Sequence, residues 1–198
     1  GSHARPFDAD SNGILIGEGV GMLVLKRLED AERDNDRIYA VIRGIGTSSD
    51  GRSKSIYAPR EGGQVKALKR AHEDADIDIE TIGLIEAHGT ATPLGDTVEL
   101  QTLSQFFGHA GPGPRAGLGS VKSMIGHTMP AAGIAGLIKT AMAVHYGVLP
   151  PSLHCEEPHA GLDDTRFRIV TQEEPWESNG SLRCAGINAF GFGGINAH

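Results

Sequence analysis

Residues 82–107, IGLIEAHGTATPLGDTVELQTLSQFF, restrict the fold more than any other part of the chain. An apolar run of strand length, a turn of small residues and a helix-periodic segment follow one another with no linker between them. The run IGLIEA is apolar on both faces and reads as a buried strand. Leu100, Leu103 and Phe107 fall on one helix face, and Gly108 stops the pattern. Asp96, with Glu99 three positions on, predicts a variant capping box at the helix start. Upstream, Val65, Leu68, His72 and Ala75 predict a helix from about residue 64. A helix, strand, turn, helix order is a unit of an α/β fold.

The remaining segments extend that order. MLVLKRL (22–28) and IYAVIRGIG (38–46) read as two further buried strands, and residues 47–63 read as a long loop. GLGSV predicts a short strand. A helix from Pro130 to about Tyr146 is apolar nearly all round, which predicts a central, buried position. RFRIV and LRCAGINAF read as two more strands. The fold class is therefore α/β, with a mixed, largely parallel sheet whose last strands pair antiparallel. Open α/β sheets bind ligands at the carboxyl ends of their strands, and His88 stands at such an end.

Charge narrows the partners. A formal net charge of −7, spread without long single-sign runs, argues against a nucleic-acid or anionic-membrane surface. No segment predicts a membrane span or a signal peptide, so a cytoplasmic location is expected. Residues 1–4 read as a cloning scar. The two cysteines, Cys155 and Cys184, make neither a disulfide framework nor a CxxC pair.

Several motifs invite a chemical reading. GEGVG (17–21) superficially matches a dinucleotide loop, but a strand-like run follows it rather than a helix, so close backbone packing is the better account. His154, Cys155 and His159 lack a regular metal-ligand spacing, and no metal site is expected. His88 in AHGT and His127 in IGHT sit in tight turns, from which two imidazoles can grip one oxygen or shuttle a proton. Either could equally be a satisfied structural group. Lys122, five residues before His127, adds a positive charge that can steady a developing anion. The glycines of NAFGFGGINAH can expose main-chain N–H groups, as an oxyanion hole requires.

Four stretches in this order, RPFDADSNGILIGEG, EAHGTATPLGDTVE, GSVKSMIGHTMPAAGIAGLIK and INAFGFGGINAH, resemble the second half of a beta-ketoacyl synthase, the condensing domain of polyketide and fatty-acid synthases. The resemblance runs from Arg5 to His198 and implies a thiolase-like fold. Residues 5–46 would supply the last strands of the first half, and residues 47–198 the second half. It further implies that His88 and His127 bind the malonyl thioester carbonyl and stabilise the enolate left by decarboxylation. Lys122 would organise the site, with Glu99 and Asp96 as its supporting network. Phe192, between Gly191 and Gly193, would be the gating residue at the oxyanion hole.

The nucleophilic cysteine of such enzymes belongs to the first half and has no counterpart here, so this chain alone is expected to be inactive. The resemblance also implies an acyl carrier protein as partner, substrates delivered on its phosphopantetheine arm, no cofactor bound in this domain, and a homodimer of the intact domain completed by the N-terminal half. Gly136, AAGIAGLIK and VLPPSLH resemble the polyketide branch more than dissociated bacterial fatty-acid enzymes. The alternative is a non-catalytic condensing-fold module akin to a chain-length factor.

Overall fold

A computed structural model of the chain describes residues 2–52, 58–111, 113–178 and 180–198. In chain order its elements are α1 (Leu28–Arg33), β1 (Thr47–Ser49), α2 (Glu61–Ala75), β2 (Ile82–Glu86), α3 (Pro93–Phe107), β3 (Ala116–Gly119), α4 (Lys122–Ile125), α5 (Ala132–Tyr146), β4 (Val148–Leu149), β5 (Phe167–Ile169), β6 (Glu174–Pro175), β7 (Cys184–Ile187), β8 (Ala189–Gly191) and β9 (Ile195–Ala197). Four strands form an all-parallel sheet in the order β5-β3-β2-β7. A second ladder, β1-β9-β8, is antiparallel. The two meet at Asn188, which separates β7 from β8 and donates its main-chain N–H to the Glu86 carbonyl at 2.8 Å.

β2 is central because both of its faces are covered. Ile85 joins Leu68, Leu100, Leu103, Phe107, Leu118 and Phe167 in one core, while the neighbouring Leu84 joins Ala143, Leu149, Val170 and Trp176 in the other. Adjacent strand residues point to opposite faces, so an apolar run with no polar alternation fits a sheet sandwiched between helices. Each large side chain fully buried this way contributes about 1.5–3 kcal/mol.

The helices follow local rules, with one shift. α2 ends at Asp76, which takes the left-handed conformation at φ 48° and donates its N–H to the His72 carbonyl. α3 begins at Pro93, and its cap is Thr92, whose hydroxyl accepts the Gly95 N–H at 3.2 Å. The capping box expected at Asp96 and Glu99 is therefore not formed. Proline at the first helical position has no N–H to lose, which starts the helix early and carries both carboxylates inside its first turns.

Other expectations need correction. Neither 22–28 nor 38–46 is a strand. Among the described residues neither has a ladder partner, and Met22 and Val24 are 88% and 99% exposed. An apolar run becomes a strand only where a neighbour offers N–H and C=O groups, and these segments meet such a neighbour only at Gly46. There Gly46 and His198 exchange two main-chain hydrogen bonds of 2.9 Å, opening the β1–β9 ladder. The predicted loop 47–63 thus begins as strand β1 and ends as the first turn of α2, while its residues 53–57 lie outside the described residues. α5 is half-buried rather than enclosed. Ala132, Gly136, Thr140 and Ala143 form its buried stripe, whereas Met142 and Tyr146 are exposed.

The segment 13–21 lies against the turn that carries His127. Ile16 bridges to His127, the His127 N–H donates to the Leu15 carbonyl at 2.7 Å, and the Gly17 N–H returns to the His127 carbonyl at 3.0 Å. A Cβ at Gly17 would collide with the Ile125 carbonyl oxygen, and one at Gly21 would meet Ile134 Cγ2 at 2.9 Å. Close backbone approach accounts for the glycines of GEGVG.

Candidate active site

Parallel pairing of β2 with β3 brings the carboxyl ends of both strands together. His88 lies on the turn leaving β2, and Lys122 opens α4 just after β3. His127 follows α4 on the turn that Leu15 and Gly17 hold. The rings of His88 and His127 meet edge to face with centroids 5.6 Å apart, and Phe190 packs against His88 at 5.8 Å.

Both imidazoles are neutral at pH 7. Burial, then the neighbouring Lys122 and His127, holds His88 well below its ordinary value. Burial, then Lys122, pushes His127 down to about 4. The Nδ1 of His127 accepts the Met129 main-chain N–H at 3.0 Å, so the ring proton of the neutral form resides on Nε2. The ring is thereby a fixed N–H donor.

Glu99 organises the His88 turn from below. Its Oε1 accepts the main-chain N–H of His88 and the Nδ2–H of Asn188, both at 2.8 Å, and its Oε2 accepts the Gly89 N–H at 2.8 Å. Burial raises this carboxyl, and the three donors oppose the rise. Asp96 is fully buried beneath the same turn, accepting the Phe7 N–H at 2.7 Å, and burial pushes its pKa up to about 7. Lys122 is buried as well. Burial lowers its ammonium, while Glu99, Glu86 and Asp96 favour the charged form.

Sequence reasoning missed four members of this constellation. Glu86 ends β2 inside the core, where its Oε2 accepts from Lys139 Nζ at 2.8 Å and its Oε1 from the Val121 N–H at 2.6 Å. Asn188 binds Glu99, and the Nδ1 of His198 lies 2.6 Å from Asn188 Oδ1. A charged residue closing the apolar run IGLIE was the available signal for Glu86, and a polar residue inside CAGINAF was that for Asn188. Nothing local marked Lys139 or His198.

The glycine-rich loop forms the β8–β9 turn. Gly191 closes β8, Phe192 is 59% exposed on the turn, and Gly193 has φ 87°. The remaining candidates have separate partners. His154 stacks on His3, while His159 Nδ1 accepts the Gly161 N–H and its Nε2 contacts Thr97 Oγ1. Cys155 is buried and donates weakly to the Phe7 carbonyl, and burial pushes its thiol up to about 12. Such a thiol is protonated at neutral pH and is a poor nucleophile. Among the described residues no helix is long and apolar enough to cross a membrane.

The sequence matches two family descriptions, the C-terminal domain of beta-ketoacyl synthase over residues 39–156 and its N-terminal domain over residues 1–31. It is 45% identical over 197 residues to a phenolphthiocerol/phthiocerol polyketide synthase of Mycobacterium tuberculosis, covering 98% of this chain and 10% of that protein. It is 46% identical over 203 residues to a polyunsaturated fatty acid synthase of Thraustochytrium sp., covering 98% of this chain and 7% of that one. The crystal structure of ketosynthase twelve from the bacillaene polyketide synthase in Bacillus amyloliquefaciens superposes with a TM-score of 0.94 at 37% identity, covering 99% of this chain and 36% of that one. The chain thus spans about a tenth of the length of these curated relatives and about a third of the solved ketosynthase.

Proposed function

The chain belongs to the beta-ketoacyl synthases, and from that premise we propose that it provides the decarboxylating half of the condensing site of a polyketide synthase. The observation that carries the proposal is the pair of neutral imidazoles of His88 and His127, meeting edge to face beside the buried charge of Lys122.

The chemistry follows from where charge develops. When a malonyl thioester decarboxylates, the bond between C2 and its carboxylate breaks, carbon dioxide leaves, and the electron pair moves onto the thioester oxygen as an enolate. That oxygen is more basic than the starting carbonyl. Neutral imidazole N–H donors bind it more strongly than they bind the ground state, and only this difference accelerates the step. His127, with Nδ1 engaged by the Met129 N–H, presents Nε2–H; His88 supplies the second donor. Lys122 adds a positive field that favours the anion and disfavours protonation of both rings. The enolate carbon then attacks an acyl thioester on a cysteine, forming the new carbon–carbon bond and releasing the thiolate.

That cysteine is neither Cys155 nor Cys184 in this reading, and the N-terminal half of the domain contributes it. In this reading these 198 residues alone are inactive in condensation. The exposed apolar run from Val20 to Leu25 suits burial against that half. In the same reading malonyl units arrive on the phosphopantetheine of an acyl carrier protein, the domain binds no cofactor of its own, and the intact domain is a cytoplasmic homodimer. Phe192 with Gly191 and Gly193 gates the acyl channel.

The test uses the full-length protein with malonyl-loaded carrier protein, comparing wild type with His88→Ala and His127→Ala. Removal of a donor aimed at a developing oxyanion should lower decarboxylation by roughly 100- to 1000-fold. Wild-type rates in both variants would make the two histidines structural groups, and no decarboxylation by the wild type would favour a scaffold akin to a chain-length factor.

A further inference from the structure

We propose that Asn188 and His198 are positioning residues for the His88 turn, acting through the carboxylate of Glu99; the proposal rests on the reading of His88 as an enolate donor. A continuous set of hydrogen bonds runs from the end of β9 to that turn. His198 Nδ1 lies 2.6 Å from Asn188 Oδ1, Asn188 Nδ2 donates to Glu99 Oε1 at 2.8 Å, and Glu99 accepts the main-chain N–H of His88 and of Gly89.

The donor sense of each link follows from its neighbour. Both Glu99 oxygens accept main-chain N–H groups, from His88 and Gly89, and the Asn188 amide turns its NH2 toward Oε1 and its oxygen away. An oxygen in that position requires a donor, which only a protonated Nδ1 of His198 can be. His198 therefore selects the amide orientation that Glu99 needs. With the amide reversed, its oxygen would face the Glu99 carboxylate, and Glu99 would lose one of its three donors.

The ring of His198 is well placed to hold this setting. It is neutral, its pKa pushed down to about 3 by burial and then by His72. It stacks on His72 with centroids 5.3 Å apart, and a Cβ at Gly186 would stand 2.6 Å from its Cε1, so β7 leaves room for the imidazole only because residue 186 is glycine. The main chain of His198 is fixed by its two hydrogen bonds to Gly46. His88 is thus oriented from an element more than 100 positions away in sequence.

Two substitutions separate the hydrogen bond from the packing. His198→Phe keeps an aromatic ring against His72 and removes the donor, whereas His198→Asn keeps an amide donor at the reach of Nδ1. In the full-length protein, malonyl-carrier decarboxylation should lose on the order of 10- to 100-fold in kcat with KM unchanged in His198→Phe and Asn188→Ala, and His198→Asn should restore most of it. Wild-type kcat in His198→Phe overturns the proposal. So does an equal loss of kcat in the Phe and Asn variants, which would mark packing alone.

If the wild-type protein does not decarboxylate malonyl thioesters, the functional reading fails, and NMR then decides the positioning role. The amide protons of His88 and Gly89 should move upfield in His198→Phe and return in His198→Asn. Unchanged amide shifts would overturn it.

Discussion

The rings of His88 and His127 stand perpendicular, 85° apart, with 5.6 Å between centroids, and each comes from a different carboxyl-end turn of the fold. The two turns are held by separate anchors. Glu99 fixes the first through its main-chain N–H groups, and Leu15 and Gly17 fix the second. Neither anchor touches an imidazole nitrogen, so both rings remain available as donors while their backbones are constrained. A site that must bind an oxygen better as its charge grows benefits from donors that need no reorganisation.

The first prediction concerns pH and stability. His127 titrates at about 4 in the folded chain, against an ordinary 6.5. Between those values the unfolded chain binds a proton that the native form refuses. Its contribution, on the order of 3 kcal/mol, is therefore complete above about pH 6.5 and is lost as pH falls toward 4. Asp96 acts with the opposite sign. Its pKa of about 7 in the fold, against 3.8, removes stability as pH rises between those values. Urea titrations from pH 4.5 to 7 should show a shallower rise of stability with pH in His127→Gln than in wild type. Equal slopes would place the His127 pKa near its ordinary value.

A second prediction isolates Lys122. Burial is the larger cause of depression in both histidines, and the lysine charge is the next. Lys122→Met should accordingly raise both imidazole pKa values without returning them to 6.5, which imidazole NMR titration would resolve. Decarboxylation should fall with the loss of positive field. An unmoved His127 titration would mean that the lysine charge is screened from the ring.

How much of this was legible beforehand depended on the range of the interactions involved. The segment 82–107 encoded strand, turn and helix locally, through apolar continuity, small residues and helical spacing. The first two predicted strands failed because apolar continuity in 22–28 and 38–46 cannot supply a ladder partner. His88, His127 and Lys122 stood out as polar residues in tight turns at element ends, where short-range pattern is informative. Glu86 and Lys139 are 53 positions apart, and Asn188 and Glu99 are 89 apart. Nothing within a local window connects such pairs. Asp96 was misread as a cap because a capping pattern and a buried carboxylate under a turn use the same residue type, and only the N–H of distant Phe7 distinguishes them.

A third prediction follows from the Glu86–Lys139 pair. Glu86 is fully buried, and α5 approaches β2 closely enough that a Cβ at Gly136 would stand 3.1 Å from Glu86 Cγ. Lys139→Met would leave that carboxylate with the Val121 N–H and the more distant Lys122 charge. Breaking a buried pair from one side costs about 3–5 kcal/mol, whereas replacing both charges is often close to neutral. The double variant Glu86→Leu, Lys139→Met should therefore recover much of the stability lost in Lys139→Met, as read by urea midpoints. Additive losses would instead show that the two residues are independent.

The last prediction tests whether the N-terminal segment sets the His127 turn. Gly17 passes so near the α4–His127 connection that an added Cβ would strike the Ile125 carbonyl oxygen, a backbone atom that cannot rotate away. Gly17→Ala must therefore push residues 15–17 outward, lengthening the Leu15–His127 and His127–Gly17 hydrogen bonds. Overpacking of this kind costs roughly 1–3 kcal/mol. The more specific consequence is chemical. Freed from its two main-chain partners, the turn should loosen the Met129 N–H contact that fixes the His127 tautomer, and the Nδ1 and Nε2 nitrogen shifts should converge as both tautomers become populated. Gly13→Ala serves as the control, because a Cβ there meets nothing within 4 Å although its φ of 127° is strained. It should lower stability while leaving the His127 nitrogen shifts in place. Equal tautomer mixing in both variants would show that the turn responds to general destabilisation, and that Gly17 has no particular hold on it.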